Sequence, residues 1–423
     1  MRKPRMLEPL RIRDFALLWT GMSVSLIGDG ILLVALAWQT YELSGSASTL
    51  GWIAAAYVSP MVVVLLGGGV LTDRFERRKL MIVADLIRVV SVGAMGALAV
   101  TGHLGLWQLG LLAALTGVGD ALFAPAFGSI VPEIVPRELL VEANSLDQFM
   151  RPLSNVIGPA IAGVLIASAG VGTAFVADAA TFVISTATAF ALTPRPFQHV
   201  AERSAKRELR EGFAFVRARK WLWATLLISA VVMVGPAARY VLLPDLVKND
   251  LHASAGALGF VYGAAAVGSI VGAVGYGQLG LVKRYVLVMY ASWAVGLFAV
   301  AAYGVAGDVP QLLALGFVGG IGLAFGQATW GTMMHRLVPR EVLGRVTSLD
   351  WLCATSLMPL WFVVIGFVAD GAGVRATLVA GGLIAGITTL LFPFAIPGIR
   401  EPEHDAAAFG GPRPRLAPGA PDV

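Results

Sequence analysis

The chain has 423 residues, 57% of them hydrophobic and 13% charged, with a formal net charge of +5. So few charges cannot cover a soluble protein of this size, and the placement of the basic residues argues against nucleic-acid binding. Cys353 is the single cysteine, which excludes an intramolecular disulfide and a cysteine metal cluster.

Apolar runs of about 20 residues recur along the whole length and predict an all-α polytopic membrane protein. Twelve spans are expected at 15–41, 49–72, 80–101, 106–130, 142–168, 171–192, 222–246, 256–279, 285–306, 309–334, 346–370 and 374–397. The first is too long to be a signal-peptide core, so no cleavable leader is expected. Loop charge alternates: 26 of the 31 Lys and Arg residues fall on the side of the termini, two (Lys248, Arg375) on the other, and three within spans. Positive-inside logic therefore places both termini in the cytoplasm.

Span one carries Asp29 between Gly28 and Gly30, where the backbone is expected to be open. Span two ends in GGGVLTDRFERRKL, residues 67–80. Asp73 at that helix C-terminus opposes the helix dipole and needs cationic partners or another helix N-terminus. Arg88, Asp120, Asp178 and Arg239 also lie within spans. A mid-span carboxylate costs about 2.5–3.5 kcal/mol on insertion scales. Asp29, Asp120 and Asp178 together then cost roughly 10 kcal/mol, as much as a domain's net stability, so each needs a partner or a wet path.

A hinge precedes span five. Residues 135–147 (VPRELLVEANSLD) and 338–350 (VPREVLGRVTSLD) match at eight of thirteen positions, offset by 203 residues. A repeat at half-chain spacing implies two similar halves. Within span five, Asn144, Gln148, Arg151 and Asn155 share one helix face, and Asp147 can pair with Arg151 four residues on. Arg151 lies roughly 14 Å along the helix from Glu142, near mid-bilayer, so this stripe must face other helices or a wet cavity. The second half keeps Asp350 but has Ala354 where Arg151 would be. Gly158, Pro159 and Gly163 follow, read either as a kinked functional motif or as plain packing.

The 193–221 connection is the only long internal one. Leu209, Phe213, Val216 and Leu222 recur at helical spacing among seven basic residues from Arg203 to Lys220, which predicts an amphipathic helix on the membrane surface. The organisation is then an N-terminus 1–14, a six-span bundle 15–192, the linker 193–221, a second bundle 222–397, and a Pro/Gly/Ala-rich tail 398–423 expected to be disordered. Trp38, Tyr57, Phe149, Phe325, Trp330 and Trp351 are candidates for an aromatic pocket, with packing as the plainer reading. The scattered histidines show no metal-ligand spacing. No nucleotide-binding loop is present, so no ATP use and no cofactor is expected.

Six spans, a basic linker, six more spans and a half-chain repeat resemble the major facilitator superfamily. Its signature loop is matched by Gly69, Leu71, Asp73, Arg74, Arg77 and Arg78, with Glu76 where the family usually has Gly. The counterpart loop at Gln278–Arg284 keeps only Lys283 and Arg284. Segments RIRDFALLW, SLIGDGILLVALAW, FAPAFGSIVPEIVPRELLVEANSL and IGPAIAGVL look like the bacterial branch containing macrolide and enterobactin exporters. The resemblance implies two pseudo-symmetric six-helix bundles, alternating access, and a loop around Asp73 that latches the halves in the outward-open state. It also implies an antiporter-type motif at Gly158, Pro159 and Gly163. Spans 1, 4, 7 and 10 would line the cavity, which makes Asp29 and Asp120 the better candidates to carry protons, with structural hydrogen bonding as the other reading of each; Asp147 in span five is a further candidate. Asp178 and Arg88 become interhelical structural partners. The expected protein is a monomeric, multi-pass bacterial inner-membrane transporter, not an enzyme, exporting an amphipathic small molecule against protons. A proton-symporting importer is the alternative, and a non-transporting receptor or scaffold the more distant one.

Overall fold

The computed structural model describes residues 5–194 and 205–404, with the side chains of Arg5, 65–74, 205–209, Val231 and His404 outside that description. The 195–204 part of the linker and the 405–423 part of the tail therefore lie outside the described residues, as do the side chains of Gly69, Asp73 and Arg74.

Among the described residues, twelve helical spans are long and apolar enough to cross a membrane. In the first half they are α1 (Arg13–Ser44), α2 (Ala47–Arg74), α3 (Arg77–Val100), α4 (Leu106–Ile134), α5 (Leu140–Ala169) and α6 (Val171–Phe190). After α7 (Ala205–Arg217), the second half holds α8 (Lys220–Val232), α9 (Val234–Asp245), α10 (Ala255–Leu279), α11 (Tyr285–Tyr303), α12 (Val309–Leu337), α13 (Arg340–Ser356), α14 (Met358–Ala372) and α15 (Val374–Ala395). Helix is the form that satisfies every backbone group inside one apolar segment. Two spans are broken, and proline accounts for both. Pro236 cannot donate to Val232, where α8 gives way to α9, and Pro359 opens α14 just after the break at Leu357.

The linker forms the expected helix, α7, but not every expected apolar side chain faces the same way. Its side chains Phe215 and Val216 are buried in the core of the second half, while Phe213 is exposed. Glu211 pairs with Arg345 of α13. Leu222 is buried as part of α8, not of the linker. Leu209 lies outside the described side chains.

The two bundles meet through α5 against α10 and α2 against α14. Both contacts lie away from the terminal end, where α1 begins and α15 ends. Gly163 packs against Gly256, and a Cβ on Gly259 would lie 2.2 Å from the Pro159 carbonyl. Asp370, near the end of α14, accepts from Ser46 Oγ at 2.9 Å and from the amides of Ala47 (3.0 Å) and Ser48 (3.4 Å). It thus caps the N-terminus of α2 across the interface, where an anion is stabilised by the helix dipole. Tyr41 donates to the Val241 carbonyl at 2.8 Å, and Lys248 reaches Glu42 at 3.7 Å while sitting 4.7 Å above the Trp38 ring. The far end is closed.

This closure has a testable consequence. Asp370→Ala removes a cap worth ~1 kcal/mol, about fivefold in the ratio of closed to open far ends. Gly259→Val removes the close approach altogether. Spin labels at Leu43→Cys and Leu251→Cys, in a Cys353→Ala background, are expected to gain a longer-distance population in both variants. An unchanged distribution would contradict the closure.

Candidate transport site

Arg88 organises the centre of the first half. It is 2% exposed on α3, and it bonds Asp85 one turn before it and Asp120 of α4 at 3.2 Å. Its guanidinium carbon lies 4.4 Å from the ring centroids of both Phe123 and Phe182. Two carboxylates and two aromatic faces are the surroundings that a delocalised planar cation tolerates out of water. Asp85 also accepts from Ser185 of α6 at 2.7 Å, and Asp120 accepts from the Tyr57 hydroxyl of α2 at 2.6 Å. One cation therefore ties α2, α3, α4 and α6 together.

Arg88 is the interhelical partner that the resemblance implies, and the carboxylate it reaches across to is the candidate Asp120. Asp85 was not singled out in the sequence. Its signal in the sequence was the i, i+3 spacing from Arg88 on one helix face.

Asp29 stands beside this cluster on α1. The charges of Asp120, Arg88, Asp85 and Arg151 all act on it. Its Oδ1 is buried without a hydrogen-bond partner among the described residues. The flanking glycines do not expose backbone, contrary to expectation; they admit neighbouring helices. A Cβ on Gly28 would lie 2.2 Å from Asp178 Oδ1, and one on Gly30 would lie 3.0 Å from Gly158 Cα. Asp178 is fully buried, accepts from Thr181 at 3.3 Å, and so sits next to the Asp29 backbone.

Asn144, Gln148, Arg151 and Asn155 form an exposed face of α5. Arg151 donates to Asp147 at 3.1 Å. Asn144, Asp147 and Arg151 line a cavity of about 290 Å³ with Phe15, Trp19 and Phe127. Gly158 and the Pro159 ring pack on α1, while the Pro159 carbonyl and Gly163 face α10 of the other half. The signature loop's described side chains act within the first half. Arg77 pairs with Glu133, and Arg78 donates to the carbonyls of Ala189 (3.0 Å) and Phe190 (2.7 Å) at the end of α6.

The six aromatic residues do not make one pocket. Trp38 belongs to the far-end closure, Tyr57 to Asp120, Phe149 is exposed, and Phe325 meets Tyr276 edge to face. Trp330 and Trp351 do share a cavity, of about 520 Å³, in the second half. Tyr290 and Trp293 of α11 and Thr389 of α15 also reach it, so spans 9 and 12 contribute beside the spans expected to line a cavity. Arg239 of α9 lies 5.6 Å from the Tyr262 ring centroid.

Two six-helix bundles, a closed far end and cavities toward the other end define a major facilitator fold, the architecture of a membrane transporter and not of an enzyme. Residues 5–414 match the family described as transmembrane secretion effector, and the chain belongs to that family. It is 27% identical to macrolide efflux protein A of Streptococcus pyogenes over 92% of this chain and 96% of that one. It is 29% identical to multidrug efflux pump Tap of Mycolicibacterium fortuitum, over 91% and 96% of the two chains. Identity is also 29% to the enterobactin exporter EntS of Shigella boydii serotype 18, over 77% and 78%. The fold matches a bacterial homologue of the iron transporter ferroportin in an inward-facing state, with a TM-score of 0.67, 18% identity and coverage of 90% and 98%.

Proposed function

We propose that this transporter exports an amphipathic small molecule in exchange for protons, and that Asp29 is the group that takes up and releases the proton. Asp29 carries the reading. It is a carboxylate with a buried, unpartnered oxygen, set against a network in which Asp85 and Asp120 already hold donors. Asp29, Asp85, Asp120 and Asp178 carry up to four negative charges around Arg88, the one buried Lys or Arg among the described residues. A proton on Asp29 relieves that excess, and a bare carboxylate restores it. Asp120 and Asp147 are second choices, because each is bonded to an arginine.

With both termini in the cytoplasm, as the loop charges predict, the closed far end faces outward and the structure is inward-open. The Asp73 latch would then form in the opposite state, while Arg77 and Arg78 hold the loop to the first half in this one. Relatives named for macrolide, multidrug and enterobactin export support outward movement. A monomer in a bacterial inner membrane suffices for this cycle.

The test is purified protein in liposomes enclosing a pH-sensitive dye, challenged with macrolides, dyes and siderophores under an imposed proton gradient. Opposed movement of substrate and protons is expected. Movement of both in one direction would make the protein a symporter, and substrate movement without protons would end the coupling proposal.

A further inference from the structure

The cavity of the second half is built differently from that of the first. Asp350 is the last residue of the repeated hinge, as Asp147 is of the first copy, 203 residues earlier. In the first half Arg151, one helical turn on, donates to Asp147 at 3.1 Å. In the second half that position is Ala354, and Asp350 and Ala354 both line the 520 Å³ cavity. The described wall contains no Lys, Arg or His. Asp350 instead accepts from Trp330 Nε1 at 3.0 Å, a neutral donor that orients the carboxylate and leaves its charge uncancelled.

The rest of the wall suits the same kind of guest. Trp293 lies 5.7 Å from Tyr290 and 6.4 Å from Trp330, ring centroid to centroid, and Trp351 and Met358 complete an apolar enclosure. Aromatic faces attract a cation and repel an anion. A volume of this size fits a drug-sized molecule. An anionic guest would meet Asp350 with no compensating charge, which is a built-in rejection. A neutral guest would leave that carboxylate without a counter-ion.

We propose that this cavity binds an amphipathic organic cation, whose charged centre occupies beside Asp350 the place that the Arg151 guanidinium occupies beside Asp147. Taking the cavity as a substrate site rests on the export reading above, but binding is read without a gradient. Failure to bind leaves the export assay to be judged separately, and failure to export leaves binding intact.

The experiment measures equilibrium binding of tetraphenylphosphonium and tetraphenylborate, ions of like shape and opposite charge. The full chain is held in neutral-lipid nanodiscs, and binding to empty nanodiscs is subtracted. Saturable binding is expected for the cation only. Asp350→Asn is expected to weaken it by about tenfold. Ala354→Arg keeps Asp350 and rebuilds the first half's pair, so it too should displace the cation. This second variant keeps the test valid if loss of Asp350 impairs folding. Equal affinity of tetraphenylphosphonium for all three proteins, equal saturable binding of tetraphenylborate, or no saturable cation binding would each overturn the proposal.

Discussion

Asparagine in place of Asp29 is expected to reduce gradient-driven export to the level of protein-free liposomes while leaving substrate binding intact. The substitution keeps the size of the side chain and its acceptor oxygen but removes its ability to ionise. The charge around Arg88 is then fixed as it is when Asp29 holds a proton, and the halves lose the signal that distinguishes the two ends of the gradient. Substrate-for-substrate exchange needs no net proton movement, so the variant should still catalyse it. This split separates coupling from misfolding, since a collapsed protein would lose both. Asp120→Asn is a poorer test, because it also weakens the Arg88 contact at 3.2 Å and the Tyr57 bond at 2.6 Å. Full gradient-driven export by the Asp29 variant would remove Asp29 from the mechanism and turn attention to Asp147, whose Oδ1 is also buried and without a hydrogen-bond partner.

The spans were legible because hydrophobic length alone identifies a membrane helix, and charge alternation fixed their parity. The half-chain repeat announced two similar bundles before any contact was known. What lay beyond the sequence was pairing across helices. Asp147 and Arg151 share a helix, so spacing sufficed to join them. Arg88 and Asp120 lie on different helices, and only the packing of α3 on α4 brings them together. The glycines beside Asp29 show the same gap. Their small size was visible, but whether it admitted solvent or a neighbouring backbone depended on where α5 and α6 approach. Aromatic residues were the least legible, because a tryptophan in a span packs, anchors or binds according to neighbours the sequence does not order. Asp350 is the partial exception: comparing the two hinge copies exposed its missing arginine, and the structure supplied the cavity around it.

Loss of Arg88 is expected to be the most destabilising change in the first half. Arg88→Met fills much of the volume but leaves Asp85, which is fully buried, without its cation, and takes one of Asp120's two partners. Breaking a buried ion pair from one side costs about 3–5 kcal/mol, because the remaining charge is stranded out of water. That is a large share of a domain's net stability. The two aromatic contacts at 4.4 Å are lost as well. Thermal unfolding of the detergent-solubilised protein should therefore begin many degrees lower, or the variant should fail to accumulate. Arg88→Lys should fall between the two, since an ammonium keeps the charge but cannot present a planar fork to both carboxylates. Adding Asp85→Asn to Arg88→Met should recover part of the loss, because it removes the stranded charge while an acceptor remains for Ser185. A double variant no more stable than Arg88→Met would mean that the cost lies in packing against Phe123 and Phe182 and not in the ion pair.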